Sequence, residues 1–171
     1  KELEDRIDNI ESRLSSDDAF IDTALQASYI ATRTSNETKL HALENAVINS
    51  ALQEAPDESL QSMFLSYIDS FTVWHLLILE LFDDPQAWAT KNGKPFQNRP
   101  QGSISHVLED AYPALRGHQD FYDQVWRDLH SRGLLTTDSP HGMMTGSGML
   151  ARRTTDMGRR FVRYTSGNSE T

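Results

Sequence analysis

The chain has 171 residues, no cysteine and a formal net charge of −9. That length suits one medium domain, or a small domain with a helical appendage, and 37% hydrophobic with 24% charged residues is enough apolar material to fold. These values exclude a disulfide framework and a thiolate metal site, and the acidic balance disfavours nonspecific attraction to phosphate backbones or anionic lipid.

A thiol-free chain fits a reducing compartment, so the cytoplasm is the expected location. No run reaches the roughly eighteen apolar residues of a spanning helix, and no signal-peptide pattern opens the chain. Lys1 already stands inside helical patterning, so further chain is expected before it.

Leu3, Ile7, Ile10 and Leu14 stand four, three and four residues apart, the seam of a heptad repeat. The seam predicts an amphipathic helix and makes these four residues the candidate oligomer contact. Two heptads suit a helix laid on its own domain equally well. After Ser15 and Ser16, a second apolar stripe over 18–33 carries Phe20, Ile21, Ala24, Leu25, Ala27 and Tyr29. Thr34 followed by Glu37 is a capping-box pattern, predicting a third helix with Leu40, Leu43, Val47 and Leu52 on one face and an end near Ala55. Pro56 then punctuates, Asp57 caps, and Leu60, Phe64, Tyr67, Ile68 and Phe71 mark a fourth helix. The next helix, over 73–82, is apolar nearly all round apart from His75 and Glu80, which predicts a place at the centre of the fold.

Asp84 and Pro85 open a short helical turn with Trp88, and 92–103 reads as a loop. Ile104, Val107, Leu108, Ala111 and Tyr112 resume a helix that halts at Pro113 and Gly117. The segment 118–132 is predicted to bury Phe121, Tyr122, Val125, Trp126 and Leu129 and to stop at Gly133. Leu134 and Leu135 start a short strand, 139–148 is a glycine-rich mobile excursion, and 149–153 is the returning strand. Thr155 caps a last helix bearing Met157, Phe161, Val162 and Tyr164, before a flexible tail at 166–171.

The order helix 72–82, helix 103–112, helix 118–132, strand, glycine-rich loop, strand, helix resembles a winged helix-turn-helix domain. Its most specific piece runs from Leu129 through 131–135 to 154–164, and the likeness covers just over half the chain. The insertion 84–102 departs from that pattern. The resemblance implies a winged-helix-like domain at 72–165 with a small β-hairpin wing, and the apolar stripes before it add a helical region at 1–71, a candidate for oligomerisation, so the expected fold is mainly α. The stretch 32–50 also resembles bacterial helical proteins of no assigned function.

In DNA-binding members of that family the 118–132 helix would enter the major groove. Its outward residues here are Gln119, Asp120, Asp123, Gln124, Arg127, Asp128 and Ser131, three carboxylates against one arginine, the wrong sign for a polyanion. Arg152 and Arg153 on the wing strand, with Arg159, Arg160 and Arg163 on the last helix, are the candidate contact to nucleic acid or an acidic partner. Pairing of these arginines with the acidic body of the same protein or of a neighbour is the favoured alternative. The expected function is therefore a non-enzymatic interaction or regulatory module that uses a winged-helix scaffold for protein contact and self-association, with a homo-oligomer or another protein as partner. A DNA-binding transcriptional regulator is the alternative.

Catalysis has no visible carrier. His41, His75, His106, His118, His130 and His141 contain no i, i+4 pair of a helical zinc site, and the cluster Glu80, Asp83 and Asp84 supplies too few ligands for a divalent cation. His106 with Glu109 and Asp110 could share a helix face, an ordinary surface arrangement. The glycine-dense stretch 142–148 lacks the lysine of a phosphate loop, so neither cofactor nor metal is expected.

Overall fold

A computed structural model describes residues 17–52 and 55–167, so the heptad seam of Leu3, Ile7, Ile10 and Leu14 lies outside the described residues. The described chain is mainly helical with a small two-stranded antiparallel sheet. It divides into two compact units: one runs through Val73 and resumes at Arg163, and the other is Trp74–Val162. Among the described residues no helix is long and apolar enough to cross a membrane.

The first unit contains α1 (Asp18–Ala31), α2 (Glu37–Ser50) and α3 (Glu58–Ser70), which pack against one another. Each starts at a side-chain cap. Asp17 accepts from the Phe20 amide at 3.2 Å, Asn36 from Lys39 at 3.2 Å and Asp57 from Leu60 at 3.1 Å. The cap of α2 is thus Asn36 rather than Thr34, whose hydroxyl accepts from the Asn36 amide. Asn stands nearer the helical run and caps at least as well as Thr, so Glu37 opens the first turn instead of closing a box. Nor does α2 reach Ala55: it ends at Ser50.

Burial in α1 differs from the stripe read off the sequence. Phe20, Thr23, Ala27 and Ile30 face inward, while Leu25 and Tyr29 stand outward. Thr23 is tolerated inside because its hydroxyl donates to Gln61 at 3.0 Å, and the Gln61 amide donates to the Pro56 carbonyl at 2.7 Å. In α2 the buried face is built from Ala42, Leu43, Ala46, Asn49 and Ser50, of which Ala42, Ala46 and Ser50 are small enough to permit close helix approach. The α3 row of Leu60, Phe64, Ile68 and Phe71 is buried, and Lys39 caps the end of that helix with bonds to the Asp69 and Phe71 carbonyls at 2.9 Å each. Residues from Arg163 onward join this unit through Asn49, whose amide donates to the Tyr164 carbonyl at 2.9 Å, and through Ser50, 2.7 Å from the Tyr164 hydroxyl.

The second unit contains α4 (Val73–Asp83) from Trp74 on, α5 (Pro85–Asn92), β1 (Gln101–Gly102), α6 (Ile104–Ala111), α7 (Gln119–Ser131), β2 (Met144–Thr145), α8 (Gly146–Met149) and α9 (Asp156–Thr165) as far as Val162. Leu76, Ile78, Leu79, Leu81 and Phe82 of α4 are buried, and Phe82 meets Trp126 of α7 edge-on at 5.1 Å. The insertion is ordered: Asp84 caps α5, Pro85 fills its first position, and Trp88 is held between Phe96 and Tyr112.

α7 ends as its glycine predicts. Gly133 takes φ 71°, its amide bonds the His130 carbonyl at 2.9 Å, and the Leu134 amide bonds the Leu129 carbonyl at 3.0 Å. On its apolar side Tyr122, Val125, Trp126 and Leu129 are buried, but Phe121 is exposed. The strand pairing is also rearranged. β1 pairs antiparallel with β2 in the register Gln101 to Thr145 and Gly102 to Met144, so part of the 139–148 excursion is tied to the chain just before α6. Leu135 forms a separate antiparallel bridge with Thr154, one position beyond the expected returning strand, because Met149 is drawn into the core at the end of α8.

Candidate functional site

The outer face of α7 is where the two readings of the second unit diverge. Its N-terminal half meets the segment after the helix: His141 Nε2 lies 2.6 Å from Asp123 Oδ1 and 3.3 Å from Gln119 Nε2. That segment is held by two further bonds, from Trp126 Nε1 to the Thr137 carbonyl at 2.8 Å and from the Ser105 amide to the Pro140 carbonyl at 2.9 Å. Further along, Asp128 Oδ2 lies 3.1 Å from Nε2 of the buried His75, and Asp128 Oδ1 lies 3.4 Å from Arg132 Nε. The charge of Asp128 therefore serves a core histidine from α4. Arg127, the cation of the outward set, turns back on its own helix, with Nε 3.3 Å from the Asp123 carbonyl and Nη2 3.2 Å from Gln124 Oε1. Asp120 is exposed at the helix start.

The arginines do not act as one group. Arg152 donates to the Asp83 carbonyl at 2.6 Å and stands 3.6 Å from its carboxylate. Arg153 is half-buried and bonds the Gly148 carbonyl and, at 3.1 Å, Met144 Sδ, so it braces the chain around β2 and α8. Arg159 pairs with Asp156 on its own helix. Arg160 is exposed in the second unit, and Arg163 is exposed in the first. Neither has a carboxylate partner among the described residues.

The acidic cluster is dispersed into structural tasks. Glu80 pairs with Lys91 at 2.9 Å, Asp83 accepts from Thr154 at 2.6 Å, and Asp84 caps α5 through the Ala87 amide at 2.9 Å. Among the described residues no group of three histidines or carboxylates stands where a metal ion could be held. His106 separates from its neighbours: it accepts from the Ser103 amide at 3.0 Å in a capping box, whereas Glu109 accepts from Tyr122 at 2.9 Å and Asp110 holds Arg99. Burial and then the Glu109 bond push the Tyr122 phenol well above its ordinary value. The Ser103 hydroxyl lies 3.0 Å from His106 Nδ1, but it is buried and shared with Ser105 at 2.6 Å, and no carboxylate among the described residues orients the ring as a general base.

The second unit also carries a half-open cleft of about 460 Å³ between the insertion and the β2–α8 segment, with walls from Phe96, Arg99, Val107, Met149 and Leu150. The size is that of a small-molecule pocket. Its titratable group is Arg99, permanently protonated and clamped by Asp110 and Gln97, so the walls offer no proton-transfer group. The cleft joins the 92–103 loop to Val107 of a helix and to Met149 and Leu150, which read as the start of a strand, and the pairs His141–Asp123 and His75–Asp128 join residues 18 and 53 positions apart. Hydrophobic periodicity carries no signal for either. No protein family, curated protein or solved structure matches this chain.

Proposed function

We propose that the chain is a non-enzymatic interaction or regulatory module, whose second unit uses a winged-helix-like scaffold for protein contact and whose first unit serves self-association. The order α4, β1, α6, α7, the Leu135–Thr154 bridge and α9 supports the likeness to a winged helix. The observation that carries protein contact over nucleic acid is the outer face of α7, where the carboxylates of Asp120, Asp123 and Asp128 face outward or bind histidines and Arg127 is folded onto its own helix. A duplex brought to that face meets three carboxylates against the one arginine of the outward set, Arg127, a net negative surface. The thiol-free composition fits the cytoplasm as the place of action.

The DNA-binding regulator is the second reading, and exposed Arg160 is the observation in its favour. Fluorescence anisotropy with a labelled random-sequence duplex separates the two. We expect no binding at low salt. Binding that weakens steeply between low and near-physiological salt would show phosphate contacts and replace protein contact by the DNA reading.

A further inference from the structure

We propose that the outer face of α1 is a self-association surface occupied by the same helix of a second copy, paired antiparallel about a two-fold axis at Leu25. The inference rests on the reading that the first unit serves self-association and names the surface it uses. Ile21, Leu25 and Tyr29 stand four residues apart and form one row along α1. Leu25 is 63% exposed and Tyr29 64%, while the opposite row of Phe20, Thr23, Ala27 and Ile30 is spent on the unit's own core. Large apolar side chains exposed one turn apart on an ordered helix form a contact patch rather than scattered surface.

Charge selects the occupant and its direction. The N-terminal end of α1 exposes Asp18 and Asp22, no basic residue lies within the helix, and Arg33 follows its C-terminal end with its guanidinium 4.9 Å over the Tyr29 ring. Two such helices side by side in parallel would oppose Asp18 to Asp18 and Arg33 to Arg33. Turned antiparallel about Leu25, they lay Tyr29 of one copy over Ile21 of the other and bring Arg33 beside the other copy's Asp18, with the helix dipoles opposed. Arg33 also pairs with the exposed Asp69, so it has a charged anchor in the free chain and keeps donors for a second carboxylate. The end charges fix orientation and register, since exposed pairs contribute little affinity. The affinity comes from three apolar side chains per copy, which places the dimer among weak, concentration-dependent associations.

The absence of cysteine supplies a clean probe. In the full chain, Leu25→Cys puts two thiols at the two-fold axis, and mild oxidation is expected to form the disulfide dimer much faster than it does with Ser66→Cys on the exposed side of α3. In sedimentation velocity at 0.15 M salt, the average mass of the unsubstituted chain is expected to rise toward the dimer with concentration. The double substitution L25E/Y29E should weaken association about tenfold or more with an unchanged circular dichroism spectrum. R33E should weaken it less, and the swap D18K/R33E should restore it. Cross-linking at Leu25 no faster than at Ser66, or association indifferent to L25E/Y29E, overturns the proposal. Association that persists in L25E/Y29E leaves self-association standing on another surface, whereas a mass that stays that of one chain at every concentration removes that reading together with the α1 surface.

Discussion

Gly158, in the first turns of α9, occupies a position where a Cβ would stand 2.2 Å from the Leu134 carbonyl oxygen and 3.2 Å from Thr154 Cβ. The obstructing atom is backbone, and it is fixed: the Thr155 amide bonds that same carbonyl at 3.0 Å, and the neighbouring Leu135 bridges Thr154. Intrinsic helix propensity alone would make Gly158→Ala stabilising by about 1 kcal/mol. The contact reverses that sign, because neither the helix nor the bridge can shift without losing hydrogen bonds, and we expect a net loss of about 3 kcal/mol. Urea unfolding of the two proteins measures it. A variant equal to or more stable than the parent would mean that α9 is seated differently.

At the scale of elements, the segment after α7 is fastened at its far end by one side chain, His141. Thr137 and Pro140 are held through their carbonyls, but the bond from His141 to Asp123 fastens its end. The pair is partly exposed, so its loss in His141→Ala should cost about 1 kcal/mol or less. The larger expected effect is local: amide hydrogen exchange around 139–143 should rise while the α7 amides keep their protection. Uniform exchange throughout would show that the segment opens together with the helix. Such pairs explain what the sequence conceals. The limits of α7 were legible because Gly133 is a chemical stop signal, and its outward row followed from 3.6-residue spacing. α1 was harder, since Leu25 and Tyr29 on one side and Thr23 and Ile30 on the other make two competing stripes. The inward row buries Phe20, Ala27 and Ile30, and Thr23 is accommodated there by its bond to Gln61, 38 residues away, which periodicity cannot foresee. The sheet is concealed for a similar reason: two-residue strands have too little alternation to be seen, and β1 pairs across more than forty residues.

Over the whole molecule, both units bury phenols. Tyr112 and Tyr122 in the second unit are raised beyond the ordinary phenol value, mainly by burial and then by the Glu80 charge and the Glu109 hydrogen bond respectively. In the first unit, burial pushes Tyr164 up to about 12 against the opposing effect of its bond to Ser50. A group whose folded value is raised binds its proton more tightly in the folded state. Its contribution to stability is complete below the unfolded value near 10 and is lost as pH rises through the folded value. Both units should therefore lose stability from about pH 10 upward, each phenol contributing roughly 1.4 kcal/mol for every unit between its folded and unfolded values. Urea midpoints taken between pH 8 and pH 11, with phenolate absorbance recorded on the folded chain, test this. Midpoints should hold steady to about pH 10 and then fall, and part of the phenolate signal should appear only as the chain unfolds. Tyr164→Phe should start less stable through loss of the Ser50 bond but show a shallower decline in the first unit. If all five tyrosines ionise near pH 10 with the helical signal intact, the phenols are not shielded as described.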